Sequence, residues 1–157
     1  MLVMDVVRHG EAGPADAGGD RGRRLSAGGV ARVEELAEQL ARERWKPDRV
    51  FSSPLVRALE TASILARAAG ANAPEIAPLE ALEPNADPED IEDALEARGA
   101  VTGHVALVGH QPLLGRLLAR LTGEERKIPA GTLIRVRCPN GFGRPGGSIE
   151  RVLSPAD

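Results

Sequence analysis

Apolar residues in this chain follow two rhythms that alternate along its length. Compact runs of roughly four to eight apolar residues read as buried strands, and longer stretches with apolar residues three or four apart read as amphipathic helices. The first run predicts a strand over residues 1–8, broken only by Asp5, which is expected to be hydrogen-bonded or edge-facing. Residues 13–24 are glycine-rich and charged and read as a loop. Ser26 then caps a helix whose apolar positions Val30, Val33, Leu36, Ala37 and Leu40 keep the helical period. A short strand over 49–51 leads through Ser52-Ser53-Pro54 into a second helix, expected to hold Pro54 in its first turn and to run to about residue 69.

The second half repeats the alternation. Residues 70–88 are rich in Ala, Pro and Asn, with one short strand over 75–77. Pro88 opens a helix to about residue 98, and 104–108 is an apolar run suited to a strand buried on both faces. Gly109-His110-Gln111-Pro112 leads into an apolar helix over 113–121, ended by Gly123. Two last runs, 132–138 and 148–153, flank a Pro/Gly-rich turn and read as an antiparallel edge hairpin. There is no internal repeat and no linker. The pattern predicts an α/β three-layer sandwich: a mostly parallel central sheet, helices on both faces and an antiparallel hairpin at one edge.

Composition narrows the partners. The 157 residues suit one domain, residues 1–157. A net charge of -3 and only three aromatic residues (Trp45, Phe51 and Phe142) argue against nucleic-acid binding, which favours a basic surface and stacking platforms. The one cysteine, Cys138, precludes an internal disulfide and fits a reducing compartment. No apolar stretch approaches the ~20 residues of a membrane span, and residues 1–7, short and without a charged n-region or cleavage site, are not expected to act as a secretory signal. A cytoplasmic protein with no membrane partner is expected; the oligomeric state is left open.

Chemistry collects where strands end. Three times a buried strand gives way to a polar turn and a helix start: at Val7-Arg8-His9-Gly10, at Phe51-Ser52-Ser53-Pro54 with Arg57 just beyond, and at Val108-Gly109-His110-Gln111-Pro112. In α/β sheets, ligands gather at the carboxyl ends of the strands. Arginine supplies planar charged donors for phosphate oxygens, neutral imidazole can attack phosphorus, and glycine permits a tight turn. Pro112 in a first helical turn is expected to leave backbone N–H groups facing an anion. Two arginines and two histidines at one crevice would bind a tetrahedral oxyanion.

These residues carry a resemblance. Arg8-His9-Gly10-Glu11-Ala12, Arg24-Leu25-Ser26, the run from Ser52 through Arg57 to Ala62, and Val108-Gly109-His110-Gln111-Pro112-Leu113-Leu114 resemble the histidine phosphatase superfamily, the phosphoglycerate mutase-like family. The compact, SixA-like branch that dephosphorylates phosphohistidine is the nearest in kind. The resemblance implies that His9 is the nucleophile, forming a phosphohistidine intermediate, while Arg8, Arg57 and His110 bind phosphoryl oxygens and stabilise the transition state. Gly10, Arg24 and Ser52 are further candidates for substrate binding, and Glu11 for orienting the pocket. Many members also carry a carboxylic acid that protonates the leaving oxygen; Glu80 and Glu83 are the candidates here. Imidazole leaves more readily than an alkoxide, so a phosphohistidine substrate lessens the need for that acid.

The implied activity is a metal-independent phosphatase without cofactor, acting on a phosphorylated protein such as a histidine-containing phosphotransfer domain. The alternatives are a phosphomonoesterase or mutase-like phosphotransferase acting on a small phosphate ester, and a non-catalytic phospho-binding module. Two histidines without a third ligand at metal spacing make a poor zinc site. His104 is expected to be structural. Cys138 and Arg144 reproduce the Cys-x5-Arg spacing of cysteine phosphatases, but Pro145-Gly146-Gly147 follows where that chemistry needs a helix start.

Overall fold

The computed structural model describes residues 1–142 and 146–154. Its elements run β1 (Leu2–Arg8), α1 (Ala27–Arg42), β2 (Arg49–Ser52), α2 (Val56–Ala66), β3 (Ile76–Pro78), α3 (Pro88–Ala97), β4 (Gly103–Gly109), α4 (Leu113–Thr122), β5 (Leu133–Cys138) and β6 (Ser148–Leu153). Short 3-10 turns lie at Asp20–Gly22, Arg67–Asn72 and Glu80–Leu82. The strands form one sheet in the order β3-β2-β4-β1-β5-β6. The first four strands are mutually parallel, and β5 and β6 add an antiparallel pair at one edge. This is the expected α/β sandwich.

Strand alternation divides the core. Leu2, Met4 and Val6 face α3 and α4 in a cluster with Leu107, Ile134 and Leu117, whereas Val7 faces α1 and α2 with Val33, Leu36 and Leu65. Helix α1 is capped by Ser26, whose hydroxyl accepts the Gly29 N–H at 3.0 Å. Gly29 lies so close to the β1–α1 turn that a Cβ there would stand 2.1 Å from the Glu11 carbonyl oxygen. Gly123 ends α4 in the left-handed conformation, φ 84°, which glycine adopts without steric cost.

Helix α2 begins later than its proline suggests. Pro54 stands before the extended N-cap Leu55, because the Ser53 hydroxyl accepts the Leu55 N–H at 3.2 Å and completes the turn ahead of the helix. The helix also stops at Ala66 and continues only as a 3-10 turn, within which Gly70 is non-helical.

Asp5 is fully buried on the α1 face of β1. Its carboxylate accepts hydrogen bonds from Trp45 Nε1 at 2.7 Å and from Arg135 Nε and Nη2 at 2.8 and 3.0 Å, and pairs with His104 Nε2 at 2.5 Å. Burial opposes its ionisation, but the hydrogen bonds from His104, Arg135 and Trp45 outweigh that and hold its pKa at about 2. Of the two roles expected for Asp5, the hydrogen-bonded one holds. Among the described residues, no helix is long and apolar enough to cross a membrane.

Candidate active site

Strands β1 and β4 are neighbours, yet α1 leaves β1 toward one face of the sheet and α4 leaves β4 toward the other. That divergence opens a crevice at their carboxyl ends, the switch point at which α/β sheets hold ligands. A cavity of about 340 Å³ lies there, lined by Arg8, His9, Arg57 and His110 with Glu11, Ala12, Arg23, Pro84, Gln111 and Ala130. The four residues expected at three separate strand ends therefore meet. The His9 and His110 rings lie 4.9 Å apart between centroids.

His9 is 8% exposed and held by two bonds that select the same tautomer. Its Nδ1 donates to the Gly10 carbonyl at 2.7 Å, and its Nε2 accepts from Arg57 Nε at 3.3 Å. Nε2 therefore carries a lone pair in the cavity. Burial, then the Arg57, Arg8 and Arg23 guanidiniums, push His9 down to about 4 despite the opposing bond to Gly10, so the ring is neutral at pH 7. Thr61 joins the turn after His9 to the helix behind it. Its hydroxyl accepts the Gly10 N–H at 3.0 Å and donates to the Arg57 carbonyl at 2.8 Å, tying the His9 turn to the first turn of α2.

His110 is lowered to about 3 by burial first, then by His9 and Arg57. Its Nε2 meets the Ser53 hydroxyl at 2.7 Å. That oxygen already accepts the Leu55 N–H; with its own proton given to His110 Nε2, the ring proton sits on Nδ1. Arg8 donates from Nη1 to the Ile128 carbonyl at 2.9 Å. Among the described residues, two buried side-chain polar atoms lack a partner: Arg8 Nε and His110 Nδ1. Both belong to residues lining this cavity, where an oxyanion would supply the missing acceptors.

Other candidates fall elsewhere. Arg24 points to solvent and pairs with Glu60 at 3.2 Å, while its neighbour Arg23 lines the cavity. The cause is local: Ala12 and Leu25 form an antiparallel bridge, and in an extended segment adjacent side chains face opposite ways. Ser52 is fully buried and donates to the Ser53 carbonyl at 2.9 Å, so Ser53 is the serine that touches the site. The Gly10 N–H and carbonyl are used by Thr61 and His9, so Gly10 orients the His9 ring and has no backbone donor left for a ligand. Glu80 is exposed, and Glu83 is bound to Arg21; neither lines the cavity, although Pro84 and Glu11 do. Two of the α4 amides expected to face an anion are spent internally, Leu114 N–H on the His110 carbonyl at 3.0 Å and Gly115 N–H on Gln111 Oε1 at 2.9 Å.

Sequence reading missed Asp20 and Thr61. Asp20 lies in the 3-10 turn beside Arg57, where its carbonyl accepts from Arg57 Nη1 at 2.8 Å and its carboxylate from Nη2 at 3.3 Å. Thr61 carried a local signal, a hydroxyl one helical turn after Arg57; Asp20 carried none. Cys138 is buried in β5 and burial raises its thiol pKa, the reverse of an activated nucleophile; Arg144 lies outside the described residues.

Comparisons with known proteins match this geometry. The chain resembles a SixA protein histidine phosphatase solved with tungstate: 25% identity over 98% of this chain and 97% of that one, with a TM-score of 0.83. A SixA from Agrobacterium tumefaciens, named for phosphohistidine phosphatase activity, is 26% identical over 98% and 97% of the two chains, with a TM-score of 0.81. The alpha-ribazole phosphatase of Shigella flexneri shares the fold at 18% identity over 97% and 96%, with a TM-score of 0.72. No curated protein sequence matches significantly. The family model of the histidine phosphatase superfamily (branch 1) matches residues 5–83, the half of the chain that carries Arg8, His9 and Arg57. The chain belongs to that superfamily and is a phosphatase.

Proposed function

We propose that this phosphatase acts on protein phosphohistidine, through a phosphorylated His9 and without a metal ion. One observation carries the reading: a neutral Nε2 lone pair on His9 lies in a cavity whose unpartnered buried donors, Arg8 Nε and His110 Nδ1, belong to its walls. His9 Nε2 forms the new N–P bond as the bond from phosphorus to the substrate imidazole breaks. The departing imidazole nitrogen takes up a proton from solvent water. Arg8, Arg57 and neutral His110 stabilise the charge on the transferring group, the role that metals serve in other phosphoryl transferases. The Nδ1–H bond to Gly10 offsets the positive charge that His9 gains. Water then attacks phosphorus, frees inorganic phosphate and restores His9.

The candidate acids favour this substrate over an ester. Glu80 and Glu83 stand outside the cavity lining, which suits a leaving group that needs little protonation. The similar SixA was solved with tungstate, a tetrahedral oxyanion like the phosphoryl group this reading places at His9. Glu11 favours a second reading, hydrolysis of small phosphate esters, because it is an acid among the residues that line the cavity, although one of its carboxylate oxygens accepts from the Ser26 hydroxyl at 3.1 Å. Rates on a phosphohistidine protein, a sugar phosphate and an aryl phosphate, measured side by side, separate the two. Preference for the phosphoprotein, with loss of turnover and trapped phosphate in His9→Ala, is expected. Preference for the sugar phosphate promotes the second reading, and near-native turnover in His9→Ala overturns the mechanism.

A further inference from the structure

A second, larger cavity opens beside the first. Its volume is about 530 Å³, and it shares Arg8 and Gln111 with the phosphate cavity. Beyond that shared wall its lining includes Arg116, Glu125, Arg126 and Lys127. The chain carries a net charge of -3, yet this groove gathers four cations against one carboxylate. Arg8 is half-buried and spends one donor on Ile128, while Arg116 and Lys127 are exposed and make no ion pair among the described residues. Arg126 has only a distant contact with Glu124, 3.9 Å.

The groove is built, not a chance gathering of surface side chains. Gln111 accepts the Gly115 N–H at 2.9 Å and donates to the Arg126 carbonyl at 3.3 Å, so one side chain holds both walls. Gly115 lets them meet: a Cβ there would stand 2.5 Å from the Arg126 carbonyl oxygen. Arg8 then anchors the segment through the Ile128 carbonyl. The backbone carrying Arg126 and Lys127 is thus pinned against α4 next to the reacting centre.

We infer that this groove receives an acidic stretch of the phosphoprotein substrate, carboxylates flanking the phosphohistidine, and so selects among phosphohistidine proteins; the inference rests on the reading of the protein as a phosphohistidine phosphatase. A phosphoryl group over His9 leaves the rest of its chain at the mouth of the cavity, where Arg8 and Gln111 open onto the groove. Arg116 and Lys127, which make no ion pair among the described residues, complement carboxylates, and steer and orient an acidic partner more than they hold it.

The test uses two synthetic phosphohistidine peptides, one with four flanking glutamates and one with serines in their place, together with phosphoramidate, which has no flank. At low salt the acidic peptide is expected to have at least a tenfold higher kcat/KM. That ratio should fall toward one in Arg116→Glu/Lys127→Glu and at high salt, with phosphoramidate turnover unchanged in the variant. A ratio near one in the wild type, or a ratio untouched by the double reversal, overturns the inference. So does a reversal that impairs only a small ester bearing a second carboxylate. If the wild type leaves both peptides intact but cleaves an aryl phosphate, the phosphohistidine reading is what fails. The groove is then judged by whether the unphosphorylated acidic peptide competitively inhibits aryl phosphate hydrolysis in the wild type and not in the variant; absence of inhibition overturns it too.

Discussion

Two bonds give His9 its character: one to the Gly10 carbonyl fixes the proton on Nδ1, and one from Arg57 fixes the lone pair on Nε2. Because burial and three arginines hold the ring at about 4, the acid limb of kcat/KM should lie well below the ordinary histidine value of 6.5. A pH profile on a substrate whose own ionisation is known checks this; a limb at 6 to 7 tracking His9 would sink it. Thr61 is a positioning residue in the same arrangement. Thr61→Val keeps the shape but strands the buried Gly10 N–H, at a cost of about 1–3 kcal/mol in stability. It should lower kcat by more than it changes KM, and Thr61→Ser should restore both. Equal behaviour of the valine and serine variants in denaturant melts and kinetics would remove Thr61 from the account.

At the scale of elements, the site depends on how closely α1 approaches the turn after β1. Gly10 and Gly29 both sit where a Cβ would collide, the first with Val33 at 2.7 Å and the second with the Glu11 carbonyl at 2.1 Å. Gly29→Ala must therefore push the capped end of α1 away from the segment that follows His9. A loss of about 1–3 kcal/mol is expected from overpacking, together with a fall in turnover although residue 29 touches no substrate. Denaturant unfolding and steady-state rates read both; an alanine variant as stable and active as the wild type would mean that the contact yields freely. The 3-10 turn bearing Asp20 is the other element that reaches the site, covering Arg57 from the solvent side.

Across the whole molecule, three buried groups tie stability to pH with the same sign. His9 and His110 are lowered to about 4 and about 3, so between these values and 6.5 the unfolded chain binds protons that the native state refuses. Stability therefore falls as pH drops through that window. Asp5, lowered from 3.8 to about 2, adds about 2 kcal/mol that is present above pH 4 and lost on descent to pH 2. Unfolding free energies at pH 7, 5 and 3 should decline stepwise, and a flat curve across that range would contradict the buried charges. The apolar rhythm alone determined much of this protein. It set the succession of strands and helices along the chain, the closing hairpin, and the position of Arg8, His9, Arg57 and His110 each at or just past a strand end, because alternation and helical period are local properties and strand ends inherit them; that those ends meet at one crevice was decided by the sheet order. Only the tertiary structure decided which of Arg23 and Arg24 turns inward, that Thr61 and Asp20 join the site, that Asp5 is a buried anion with three partners, and that a basic groove adjoins the phosphate cavity. Those outcomes rest on contacts between residues tens of positions apart, such as Thr61 with Gly10 and Arg135 with Asp5, and no local pattern encodes which distant side chain will stand opposite.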